Sequence, residues 1–131
     1  MTARLTEADL ELLRGRSFGH FVTLNPDGSP HATPVWIDAD GDGHVLVNTA
    51  VGRVKDRNVR RDPRVGVSVA AHDDPYRWLS VTGAVVELVT GDEAEAHIDA
   101  LSRRYEGAAW TYRPGEVRVM YKIAPERVRR G

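Results

Sequence analysis

The sequence predicts a mainly β protein with minor α content, a small antiparallel barrel of six strands with short flanking helices. Three observations carry that expectation. Six apolar runs keep the period of a strand, and most are separated by turns rich in Gly, Pro, Asn and Asp. Only three segments have helical spacing or helix-end signals. The 131 residues are enough for one core but too few for two, so residues 1–131 read as a single domain. Closing such a sheet hides its edge strands.

Each element follows from local chemistry. Thr6 before Glu7, Ala8 and Asp9 reads as an N-cap with acids in the first helical turn. Leu5, Ala8, Leu12 and Leu13 form the apolar stripe of that helix, which ends near Gly15 and plugs one end of the core. Residues 18–24 turn to strand spacing, and Asn25, Pro26, Asp27 and Gly28 make a turn. Residues 31–38 give the second strand, and Asp40, Gly41, Asp42 and Gly43 the next hairpin connection. The third strand, 44–49, leads into a short basic helix stopped by Asp62 and Pro63. A fourth strand covers 65–71 and is broken by His72, Asp73, Asp74 and Pro75.

The fifth strand, 76–89, is long and holds Gly83 inside it, which predicts a bend or bulge. Asp92 is read as the cap of a helix whose apolar positions are Ala94, Ile98, Leu101 and Tyr105. Residues 107–115 are a loop carrying Trp110, Tyr112 and Pro114. Residues 117–123 alternate as the sixth strand, which Pro125 is expected to end.

Composition excludes several function classes. A net charge of −1 gives no global field for nucleic acid or membrane, so any basic function is local. Without cysteine there is no disulfide, thiolate metal site or thiol nucleophile. No run approaches the roughly 20 apolar residues of a membrane-spanning helix, and the N-terminal segment is acidic where a secretory signal would be apolar. The chain therefore reads as cytoplasmic. The histidines His20, His31, His44, His72 and His97 lack HxH and HExxH spacing, which argues against a metal. There is no GxSxG elbow, Walker loop or GxGxxG. His20 reads as a core imidazole within a strand and His97 as a boundary residue of its helix, whereas His31 is placed near a pocket.

Local basic character is concentrated in one stretch, residues 48–69. Asn48, Thr49 and Gly52 supply turn chemistry, and Arg53, Lys55, Arg57, Arg60, Arg61 and Arg64 follow. A glycine turn opening a helix offers unpaired N–H groups and the positive end of the helix dipole, which suits a phosphate. Arg53 and Lys55 add positive charge beside it. The same charges also fit a solvated helix face. Net charge and the lack of an aromatic-basic stacking platform argue against nucleic acid.

Four segments carry a resemblance: GHFVTLNPDGSPHATPVW, VLVNTAVGRVKDRNVRRDPRVGVSV, WLSVTGAVVEL and RPGEVRVMYKIAPERV. Together they cover nearly the whole chain, and KxRNxxxDPRV after a strand is the most specific part. In this order they resemble the flavin- and deazaflavin-binding split-barrel family, often called pyridoxamine-phosphate-oxidase-like. The most similar subgroup is the short coenzyme F420-dependent enzymes. The resemblance implies an FMN-binding-like split β-barrel and a homodimer with two cofactor sites at the interface. It implies that Thr33, Pro34, Val35 and Trp36 run alongside the cofactor ring. It places Asn48, Thr49 and Ala50 at the phosphate end, with Arg53 and Lys55 as the basic pair and Asn58 as the polar position that follows. Trp78 would close the site from the neighbouring subunit.

Hydride transfer from reduced deazaflavin to an unsaturated small molecule is the implied reaction, with FMN the alternative cofactor. A flavin- or haem-binding protein without turnover is the alternative of a different class. No catalytic side chain is assigned. His31, Tyr112 or solvent is the expected proton source. Val54 stands where the pyridoxamine-phosphate oxidases pair Arg with Lys, so their substrate chemistry does not carry over.

Overall fold

The computed structural model describes residues 3–131. The described residues form α1 (Glu7–Arg14), β1 (Phe18–Leu24), β2 (Pro30–Val35), β3 (Asp38–Ala39), β4 (Val45–Ala50), α2 (Val54–Arg61), β5 (Arg64–Ala70), β6 (Trp78–Thr90), α3 (Asp92–Glu106) and β7 (Arg118–Arg130). The strands make one antiparallel sheet in the order β2-β1-β5-β6-β7-β4-β3. The sheet has seven strands rather than six, and no pairing joins β2 to β3. The expected second strand, 31–38, is the cause. It leaves the sheet at Trp36 and Ile37 and returns as the two-residue β3 beside β4. The sheet is nonetheless strongly curled. Phe21, Val47, Val67, Val81, Val119 and Ile123, from five of its strands, meet in one core.

β4 is buried at every position because both of its faces are covered. Val45 and Val47 point into the curled core, while Leu46 packs with Met120 and with Ala94 of α3 on the other face. Asn48 and Arg118 share that outer face by the two-residue period, so they lie under α3 and the loop after it. This placement builds the site described below.

Thr6 caps α1, and Asp9 completes a reciprocal capping box. Asp9 also accepts from Arg130 at 2.9 Å (Nε) and 2.7 Å (Nη2), which ties α1 to the end of β7. For α3 the N-cap is Gly91, with φ 79°, and Asp92 is the first helical residue. The acids of its first turn still complement the dipole. Pro125 does not end the last strand, which continues to Arg130. It pairs with Gly83 at a bulge, where Thr82 pairs with Arg127 and Glu126 is the extra residue. Its missing N–H is tolerated at such a bulge. A Cβ on Gly83 would collide with the Ala124 carbonyl, so the glycine predicted to mark a bend is required by close backbone approach. Among the described residues no helix is long and apolar enough to cross a membrane.

Candidate functional site

A cavity of about 680 Å³ opens between the start of β1, the chain leaving β2, the β4–α2 turn, α3 and the loop after it. One wall is apolar and aromatic: Phe18, Pro34, Val35, Trp36, Ile98 and Trp110. Trp36 is held by stacking on Tyr105, at 5.4 Å between centroids and 7° between planes. Trp110 meets Trp36 edge-on at 6.0 Å. The Tyr105 hydroxyl donates to the Ser17 carbonyl at 2.8 Å, which fixes that stack to the start of β1.

The lining is also cationic, with Arg53, Lys55, Arg113 and Arg118. Among the described residues, Arg53, Lys55 and Arg113 have no carboxylate within ion-pair distance. Arg118 has Glu116 at 3.4 Å, and Trp110 Nε1 donates to the same Glu116 oxygen at 3.2 Å. The Arg118 guanidinium also lies 4.9 Å from the Trp110 ring centroid. Burial pushes the Lys55 ammonium below its ordinary range, and the neighbouring Arg53 and Arg118 charges add to the shift. Burial also lowers Arg118, with Glu116 opposing and Arg53 reinforcing the shift. Like charges held this close, partly out of water, favour an anion as their counterpart.

Two orphaned groups point the same way. The Thr49 hydroxyl and Arg118 Nη1 are buried and have no hydrogen-bond partner, and both residues belong to the cavity lining. Buried polar atoms are rarely left so unless a ligand or water completes them.

The turn at the cationic lining is rigidly built. Gly52 takes φ 94°, a left-handed conformation that glycine adopts without strain, and its N–H donates to Asp56 at 3.0 Å. The same carboxylate accepts from Arg60 at 3.0 Å and from the buried Tyr121 hydroxyl at 2.6 Å. Arg53 is the N-cap residue of α2; its guanidinium, which only donates, forms no cap bond, and the residue lines the cavity.

Of the residues nominated from the sequence, the structure brings Pro34, Val35, Trp36, Asn48, Thr49, Arg53 and Lys55 to the cavity. Four others lie elsewhere in the chain. Thr33 and Ala50 sit on β2 and β4 outside the lining. Asn58 is 2% exposed, and its amide donates to Thr23 and Asn25, each at 3.0 Å, so it braces α2 against β1. Trp78 lies on β6, 39% exposed and outside the cavity. His31 and Tyr112 do not line it either. His20, read as a core imidazole, is instead exposed and lines the cavity, because it points away from Phe21 on the outer face of β1. His97 is no passive boundary residue: it bonds both Asn48 and Asp38.

Sequence reasoning missed Phe18, Gly19, His20, Ile98, Glu106, Trp110, Arg113 and Arg118 as lining residues. Arg118 had one available signal, a cation set among Val117, Val119 and Met120 of the last strand expected from the sequence. Phe18, Gly19 and His20 come from β1, and Ile98, Glu106, Trp110 and Arg113 are brought in by the path of α3 and its loop.

Comparison with known proteins places this geometry in context. The chain is similar to an F420 reductase of known structure, with 31% identity, a TM-score of 0.81, and coverage of 95% of this chain and 98% of that one. It is also similar to the conserved hypothetical protein Rv2991 from Mycobacterium tuberculosis, at 28% identity and TM-score 0.72, covering 96% and 84%. A heme binding protein from Mycobacterium smegmatis shares the fold at 21% identity and TM-score 0.68, covering 98% of this chain and 55% of that one. Residues 5–130 match the sequence model of the pyridoxamine 5'-phosphate oxidase family. With the sheet, the cavity and that match in agreement over nearly the full length, the chain belongs to the pyridoxamine 5'-phosphate oxidase family.

Proposed function

We propose that this protein is a coenzyme F420-dependent oxidoreductase, a reductase acting on an unsaturated small molecule. The observation that carries the reading is that one cavity joins aromatic side chains with cations, of which Arg53, Lys55 and Arg113 have no carboxylate partner among the described residues. A cofactor with a planar ring and a phosphate needs both. Similarity to the F420 reductase favours the deazaflavin over FMN.

When bound, the cofactor supplies the hydride chemistry. The protein's share is binding, orientation and exclusion of water. Arg53 and Lys55 would hold the phosphate through charge-assisted bonds. Pro34, Val35 and Trp36 would bound the ring. His20 is the cavity's own imidazole, so His20 or solvent is the proton source in this reading.

The reading includes a cytoplasmic homodimer with sites at the interface. Phe18, Ala70 and Trp78 form one row across β1, β5 and β6, and Phe18 is 62% exposed at the cavity's edge. A second copy covering this strip would bury both aromatic rings and bring its own Trp78 toward the site. Sedimentation velocity would show a dimer at micromolar concentration, and a monomer throughout would remove this part of the proposal.

Fluorescence titration with oxidised coenzyme F420, in parallel with FMN, tests the central claim. Saturable binding of F420 in preference to FMN supports it. Binding of FMN alone moves the assignment to an FMN-dependent enzyme, and binding of neither overturns it. Single-turnover oxidation of the bound reduced cofactor by candidate acceptors separates a reductase from a carrier.

A further inference from the structure

Arg118 is 5% exposed, yet its guanidinium is only partly satisfied. Nε donates to Asn48 Oδ1 at 3.0 Å. Nη1 has no hydrogen-bond partner, and Glu116 at 3.4 Å lacks the alignment of a hydrogen bond. A buried donor group held firmly through Nε and left without a hydrogen bond at Nη1 is poised for an acceptor.

What holds it is a chain of bonds with a single permissible direction. Arginine only donates, so the Asn48 atom facing it is the amide oxygen. A carbonyl only accepts, so Asn48 Nδ2 faces Ala94 O, at 2.9 Å. That nitrogen also lies 3.1 Å from His97 Nδ1, which must then be the unprotonated ring nitrogen. The ring proton is left on Nε2, 3.0 Å from Asp38 Oδ2. Arg104 Nη2 donates to the other Asp38 oxygen at 3.0 Å, which completes the chain. None of these groups can be reversed without setting donor against donor.

We infer that Arg118 is an anion-binding residue of the cavity, acting through Nη1, and that Asn48 and His97 are positioning residues that aim it. The ligand group is a phosphate: its several acceptor oxygens can satisfy Nη1 while meeting Arg53 and Lys55. Asn48 thereby moves from a direct ligand contact to a supporting role. The inference rests on the cavity being the seat of a phosphate-bearing ligand. Its test uses inorganic phosphate, so it fails or succeeds independently of the F420 titration.

The experiment follows the arginine Nε–H resonances of 15N-labelled protein during titration with inorganic phosphate, with sodium chloride holding ionic strength constant. The expected result is a saturable shift of Arg118 and an affinity about tenfold weaker in Arg118→Gln. His97→Ala should weaken phosphate binding several-fold. His97→Gln, whose amide can accept from Asn48 and donate to Asp38, should restore it. Imidazole 15N spectra of the ligand-free protein should show His97 protonated on Nε2 alone. Phosphate that shifts no cavity resonance, unchanged affinity in Arg118→Gln, or a His97 proton on Nδ1 would overturn the inference. If Arg118→Gln does not fold, Arg118→Lys serves instead: it keeps the charge but loses the Nε–H bond to Asn48. Wild-type affinity in that folded variant would equally overturn the positioning role.

Discussion

At the scale of single residues, the site separates groups that meet a ligand from groups that hold the frame. Lys55 faces the cavity, and its pKa is depressed by burial and by two neighbouring cations. Lys55→Gln should therefore leave the fold intact and weaken a phosphate-bearing cofactor by about 1.5–3 kcal/mol, one to two decades in dissociation constant. Equilibrium titration of the folded variant checks this. Asn58 belongs to the other class, although it stands only three residues further on. Its buried amide links α2 to Thr23 and Asn25. Asn58→Ala should cost about 1–3 kcal/mol of stability through the partners left unpaired, with little direct loss of cofactor contact. Urea denaturation beside the same titration distinguishes the two effects.

At the scale of elements, the two long strands β6 and β7 determine the shape of the sheet. The register shift at Thr82 and Gly83 lets Pro125 sit inside β7 and lets Gly83 approach the Ala124 carbonyl. Gly83→Ala should destabilise the protein by about 1–3 kcal/mol, because the obstruction is backbone and cannot rotate away. The expected readout is a lower urea midpoint, and an unchanged midpoint would mean that β7 yields. The helix ends are less demanding. Thr6→Ala removes one half of a capping box and should cost about 1 kcal/mol.

At the scale of the whole molecule, buried carboxylates connect distant parts of the chain. Asp9 joins α1 to β7, Asp38 joins β3 to α3, and Asp56 joins the β4–α2 turn to Tyr121. Burial alone would raise all three. Hydrogen bonds and nearby cations outweigh it and hold each below the ordinary value of 3.8. Their folded pKa values are thus depressed, so the unfolded chain takes up protons first as pH falls. Their contribution is fully present above the unfolded pKa and is lost as pH falls through the folded values. Stability should be insensitive to these groups near neutrality and fall steeply below about pH 4. Urea midpoints measured across that range, with Asp38→Asn showing a shallower acid decline, check the assignment.

The sequence determined the strand spacing, the glycine and proline turns, the Thr6 cap, the bend at Gly83 and the clustering of Arg53 and Lys55 at a helix start. These are local properties: each depends on side-chain period, backbone freedom or charge within a few residues. Tertiary structure decided what locality does not contain. The second strand divided because Trp36 and Ile37 leave one sheet edge for the other. Asn58 became a brace because α2 packs on β1, and His20 faced the cavity because Phe21 took the core. Arg118 entered the site because β7 pairs with β4 under α3, although 70 residues separate it from Asn48. Spacing along a chain reports which residues share a face. Only packing determines what that face meets.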